Sequence, residues 1–135
     1  MLQYLVEHRQ PGDVIHVFPL ARIGLLFYGP RHGLKPEDWS TTHCDADDTR
    51  TYLRDVDRHR GASRLWVLSS QVIPFLPAHK AVRDYLGAIG IRRDRFSLPS
   101  LIWGTVDLDL YDLGDPARLA AANAETFAVQ PMPTV

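Results

Sequence analysis

Hydrophobic and polar positions follow two rhythms along this chain, and the changes between them mark out its elements. Leu2, Leu5 and Val6 form a short apolar stripe that predicts a helix over 2–9. Gln10-Pro11-Gly12-Asp13 interrupts it, and a strand follows over 13–18, ended by Pro19, which cannot donate to a ladder but suits a first helical turn. Residues 20–28 are apolar nearly all round (Leu20, Ile23, Leu25, Leu26, Phe27), predicting a short buried helix closed by Gly29-Pro30. A loop over 30–38 leads to a strand over 39–44, rich in Trp and Thr. Asp45, Asp47 and Asp48 then stand where a carboxylate caps the next helix, whose inner face is Tyr52, Leu53 and Val56 and which Gly61 ends. Arg64 to Ser69 is a third strand, entered through basic residues and apolar throughout its middle.

The second half is plainer. Pro74 and Pro77 bracket a turn. Ala78, Ala81, Val82, Tyr85, Leu86 and Ile89 then recur on one side of a helix over 78–89, the clearest periodicity in the chain, closed by Gly87 and Gly90. Strands are predicted over 95–98 and 105–111, joined through Pro99-Ser100. The second alternates, with Val106, Leu108 and Leu110 on one face and Asp107 and Asp109 on the other. Such alternation signals one wet face, hence an edge or antiparallel strand. Asp115-Pro116 opens a helix over 116–125.

Two units in which a short β-branched or aromatic strand feeds a helix, 12–18 and 64–70, set the class. The order α-β-α-β-α-β-α-β-β-α predicts an α/β fold: a three-layer α/β/α sandwich on a mostly parallel sheet of about five strands, with an antiparallel strand near the C-terminus. A single domain over 1–127 and a flexible tail over 128–135 account for all 135 residues.

Composition narrows the functional classes. Net charge is −1, which argues against a nucleic-acid partner held by a general basic field. Cys44 is the only cysteine, so no intrachain disulfide forms, and the compartment stays open. No run approaches the roughly 20 apolar residues of a membrane span. The first residues lack the basic start and apolar stretch of a signal peptide.

Candidate chemistry is sparse. Ligands of open α/β sheets gather at the carboxyl ends of strands, which makes His16, Phe18, Ser69 and Ser70 binding candidates. Ser69-Ser70 lacks the sharp glycine-flanked turn that exposes a hydrolase nucleophile, so a hydroxyl capping a helix explains it more simply. Tyr28 joins the candidates from Tyr28-Gly29-Pro30-Arg31-His32-Gly33, a mix of aromatic, cation and imidazole that also reads as a solvated turn. His43-Cys44-Asp45-x-Asp47-Asp48 is the densest set of metal-ligating types. Neighbours on a strand point apart, however, and the segment reads as a strand end followed by an acidic cap, so no metal site is assigned. Asp107 and Asp109 lie about 7 Å apart on one strand face. No base or nucleophile completes a site there, and an exposed edge face explains them. His8, His59 and His79 fall beside charged residues and read as surface positions. Trp66 reads as core, while Trp39 and Trp103 are candidate contact anchors. No catalytic residue and no cofactor is assigned.

Several segments together carry a resemblance: Pro11-Gly12-Asp13-Val14-Ile15-His16-Val17, a short helix ending in Phe27-Tyr28, Gly61-x-x-Arg64-Leu65-Trp66-Val67-Leu68, Tyr85-Leu86 with Gly90, and Leu110-Tyr111-Asp112-Leu113. Across most of residues 2–127 the chain resembles the soluble C-terminal domain of bacterial membrane glycosyltransferases of the dolichyl-phosphate-mannose–protein mannosyltransferase type, which includes the lipid A aminoarabinose transferases. The resemblance implies an extracytoplasmic α/β domain following many membrane helices, in an enzyme whose donor is a polyprenyl-phosphate-linked sugar. It also implies that catalytic carboxylates, a divalent ion and the lipid phosphate belong to a membrane-proximal loop that nothing here matches. The expectation is an excised domain or stand-alone relative that is non-catalytic by itself. Its partners would be the membrane-embedded part of its parent and a glycan or lipid-linked sugar. Its place would be the periplasmic face of the inner membrane, or the cytoplasm if it stands alone. A small α/β domain binding a sugar or phosphate at its strand ends, or an interaction module presenting Trp39, Trp103 or the Ile23–Tyr28 helix, remain the other readings.

Overall fold

The computed structural model describes residues 2–42, 49–71, 76–100 and 104–128. The His43–Asp48 cluster, Pro74, Trp103 and nearly all of the expected tail lie outside them. Helix α1 (Leu2–His8) leads into β1 (Val14–Val17), and Pro19 opens α2 (Pro19–Tyr28) directly after the strand. Two 3₁₀ turns, Gly29–His32 and Pro36–Asp38, precede the short β2 (Ser40–Thr41). There follow α3 (Thr49–Asp57), β3 (Leu65–Gln71), α4 (Leu76–Ile89), β4 (Ile91–Ser100), β5 (Gly104–Asp112) and α5 (Pro116–Leu119).

The five strands form one sheet in the order β2-β1-β3-β5-β4. β1 pairs in parallel with β2 and β3, whereas β5 pairs antiparallel with both β3 and β4. The sheet is therefore mixed, not mostly parallel. The difference arises in the second half, where β4 and β5 make one long hairpin and no helix separates them. β5 is antiparallel as expected, but it lies inside the sheet between β3 and β4, not at its edge.

Alternation along β3 sends Leu65 and Val67 into one buried cluster and Trp66 and Leu68 into another. The first joins Tyr52, Leu53 and Val56 of α3 to Val82, Tyr85, Leu86 and Ile89 of α4. The second joins Leu5 of α1 and Leu25 of α2 to Ile15, Val17, Leu108 and Leu110 of the sheet. At the amino end of β3, Asp13 accepts hydrogen bonds from the Arg64 guanidinium and the Trp66 indole N–H, both at 2.8 Å. Burial pushes the Asp13 carboxyl up. The Gln10 amide, Arg64 and Trp66, all bonded to it, outweigh that and hold it below the usual carboxylate range.

Arginines of the α3 region close the first cluster over the segment after β5. Arg50 donates to the carbonyls of Ala124 and Phe127, and Arg60 donates to those of Leu119 and Ala122 and to the Tyr85 hydroxyl. The helix expected over 116–125 is the single turn of α5, and from its last residue onward the carbonyls of Leu119, Ala122, Ala124 and Phe127 accept from these side chains.

Gly90 sits where α4 turns into β4, with β5 close behind. A Cβ there would fall 2.3 Å from a Leu113 methyl and 2.6 Å from the Asp112 carbonyl oxygen. Gly90→Ala should therefore lower stability by about 1–3 kcal/mol, through overpacking against backbone that cannot retreat. Thermal unfolding checks this, and an unchanged midpoint would contradict the close approach.

Candidate functional site

The strand order makes the carboxyl ends of β1 and β3 the place where the chain changes direction across the sheet. From β1 it moves out to β2, then crosses back to β3 on the other side. Ligands of such sheets collect at that point, and the polar groups gathered around β1 form its most connected cluster.

His16 is fully buried on β1 and stands opposite Ser40 of β2. Its Nδ1 lies 3.0 Å from Ser40 Oγ, and His59, in the turn after α3, brings its Nε2 to 2.9 Å from the same oxygen. The two imidazole nitrogens are 3.4 Å apart, and Thr42 Oγ1 faces His16 Nε2 at 3.4 Å. Ser40 has one proton to give, so it cannot donate to both rings, and at least one imidazole must donate its own N–H to Ser40. Burial, then the nearness of His59 and Arg58, takes His16 down to about 3. Burial and Arg58 also lower His59, against an opposing pull from Asp55. Both rings are thus neutral near pH 7, and the cluster is a hydrogen-bonded chain of hydroxyls and imidazoles.

This arrangement gives stability a signed dependence on pH. Between about 3 and 6.5, the unfolded chain binds a proton at residue 16 that the folded chain refuses, so stability falls as the pH drops through that window. The slope from His16 alone is about 1.4 kcal/mol per pH unit. His16→Asn should flatten the acid limb of a plot of denaturant midpoint against pH by about one proton. An acid limb of equal slope in the variant would show that the ring is not held neutral.

A second polar cluster lies further along the same face. Asp107 and Asp109 of β5 are buried, and Arg95 of β4 reaches both, with Nη2 3.0 Å from Asp107 Oδ2 and Nε 3.5 Å from Asp109 Oδ1. Ser97 donates to Asp107 at 2.5 Å, and Arg83 of α4 stands 4.0 Å away. Burial raises Asp109, with Arg95 opposing and Asp107 adding to the rise. His79 of α4 is buried against Phe18, ring centroids 4.7 Å apart. Burial takes it down to about 4, Arg83 adding and Asp107 opposing. The expected wet face of β5 is therefore solvated by arginine and serine side chains, not by water. The expected surface position of His79 is a core position, and His59 is half-buried.

The sheet separates the five binding candidates. His16, Phe18 and Ser69 face the α3–α4 side, where Phe18 meets His16 edge-on at 6.1 Å and Ser69 stands opposite Asp107. Ser70 and Tyr28 face the other side, where with Leu2, Ala21, Leu25 and Val106 they line an apolar groove of about 230 Å³. Ser40 and Thr42 were not singled out by sequence reasoning, and His59 was read as a surface position. The available signal was the Ser40-Thr41-Thr42 hydroxyl run in a strand neighbouring β1. Among the described residues, no group of three or more His, Cys, Asp or Glu side chains could hold a metal ion, and no helix is long and apolar enough to cross a membrane. Comparison with protein families, curated proteins and solved structures matched none of them.

Proposed function

We propose that this chain is a non-catalytic accessory domain of a polytopic membrane glycosyltransferase that uses a polyprenyl-phosphate-linked sugar. The resemblance spread over Pro11 to Leu113 supports the parent enzyme and, with it, an extracytoplasmic position beside the membrane-embedded part. The observation that carries the accessory role is α2. Its inner residue Leu25 is buried, yet Ile23, Leu26, Phe27 and Tyr28 are 56, 45, 76 and 55 % exposed. A contiguous apolar face of this kind marks a contact surface. The motif residues Asp13, Arg64 and Trp66 are engaged with one another, which suits residues that build the domain. The two clusters served by helices α1–α2 and α3–α4 support the layered sandwich expected of it. The pure chain should fold and transfer no sugar from a polyprenyl-phosphate donor to any acceptor. Turnover above a blank lacking protein would overturn the proposal.

The groove at Ser70 and Tyr28 favours a second reading, a small-molecule binder. Two hydroxyl groups in an apolar cleft suit a sugar ring, whose edges are polar and whose faces are not. A sugar that raises the unfolding temperature of the chain, and no longer does so after Ser70→Ala, would select this reading. A flat response across sugars and inorganic phosphate would remove it.

A further inference from the structure

We infer that α2 and the turn after it dock on the headgroup region of an anionic lipid bilayer. This rests on the accessory role proposed above and names the partner of its apolar face.

Ile23, Leu26 and Phe27 recur at i, i+3 and i+4, so they share one side of α2, and that side faces solvent. The charge of their own stretch of chain is one-signed. From Val14 to Pro36 the chain carries Arg22, Arg31 and Lys35 and no carboxylate, although Asp and Glu outnumber Lys and Arg by 16 to 15 over the whole sequence. One of these cations is joined to the apolar face. Arg31 lies over the Tyr28 ring at 5.7 Å, and the Phe27 ring follows at 6.4 Å. Arg31 and Lys35 are exposed.

Each residue type has a level in a bilayer interface. Aliphatic and Phe side chains enter the acyl boundary, Tyr rests among headgroups, and Arg and Lys stretch toward lipid phosphates. A protein partner would cover the apolar side chains as well, but the run from Val14 to Pro36 that carries them offers three cations and no carboxylate, which suits an anionic surface. A single ten-residue helix gives weak and reversible binding, as befits a domain tethered by other means.

Sedimentation of the chain with vesicles of phosphatidylglycerol and phosphatidylcholine, beside vesicles of phosphatidylcholine alone, tests the inference. The chain should bind the anionic vesicles at low salt. Phe27→Asp should weaken that binding about tenfold or more. Paired Arg31→Glu and Lys35→Glu, or molar salt with its screening length of about 3 Å, should remove the preference for anionic lipid. All three positions are exposed, and unchanged unfolding temperatures would show that the variants fold. Absence of binding to either vesicle, or binding that the variants leave intact, would overturn the inference. So would self-association that Phe27→Asp abolishes, since a second copy would then be the occupant. Vesicle results leave the accessory role standing or falling on the transfer assay, where turnover by the chain alone counts against it.

Discussion

Trp66→Ala should destabilise this protein by about 3–5 kcal/mol, the usual range for emptying a buried tryptophan site. The ring is the largest fully buried side chain among the described residues, lies between the sheet and α1–α2, and has its indole N–H committed to Asp13. Removing it leaves a void and frees one Asp13 oxygen from a partner, while Arg64 loses the ring it lies over at 5.8 Å. Urea unfolding should show a lower midpoint with an unchanged slope, because the surface exposed on unfolding barely alters. Trp66→Phe should recover much of the packing but not the hydrogen bond. If both variants unfold at the wild-type midpoint, β3 is not the central strand described above.

Arg95→Ala should have an effect of similar size, about 3 kcal/mol, at the lower end for breaking a buried ion pair because 31 % of the arginine side chain is exposed. Its removal leaves two buried carboxylates on one strand face without their closest cation, while Ser97 and the more distant Arg83 remain beside Asp107. The loss should depend on pH. Asp109 is already raised in the intact protein, so the folded state holds that proton more tightly than the unfolded chain does. Stability drawn from that proton is present in acid and lost as the pH rises through the raised value. The defect of Arg95→Ala should thus shrink in acid and be largest near neutrality. Adding Asp109→Asn should restore part of it, a coupling that a double-mutant cycle reads directly. A defect equal at pH 4 and pH 7 would mean that the arginine acts through packing alone.

These two sites show where sequence reasoning reaches and where it stops. β1, β3 and α4 are legible because each carries a complete periodic signature: unbroken apolar runs in the strands, and residues 78–89 with the helical period. Trp66 as core follows from its strand alone. Asp107 and Asp109 were not legible in this way. An alternating polar face looks the same whether water covers it or the polar face of another strand does, and Arg95 and Ser97 supply that face from across the hairpin. Read together, the two alternations complement each other in charge, and that pairing was the available clue. α2 fails in the opposite direction. An all-round apolar helix implies burial on every side, yet one side has no neighbour within the described residues. His59 could be placed only by the fold, because it meets His16 beside Ser40, which the parallel pairing of β1 with β2 sets opposite His16 and local pattern does not encode.

The arginine straps over the segment after β5 set an order of events during synthesis. Arg50 and Arg60 wait for carbonyls between Leu119 and Phe127, 59 to 77 positions later, and Phe127 itself stacks edge-on against Tyr85. Until those residues leave the ribosome, the outer side of Tyr85 and the three-way junction of α3, α4 and the sheet stay open to water and to chaperones. A nascent chain halted at Gly114 would hold all five strands and still lack its last seal.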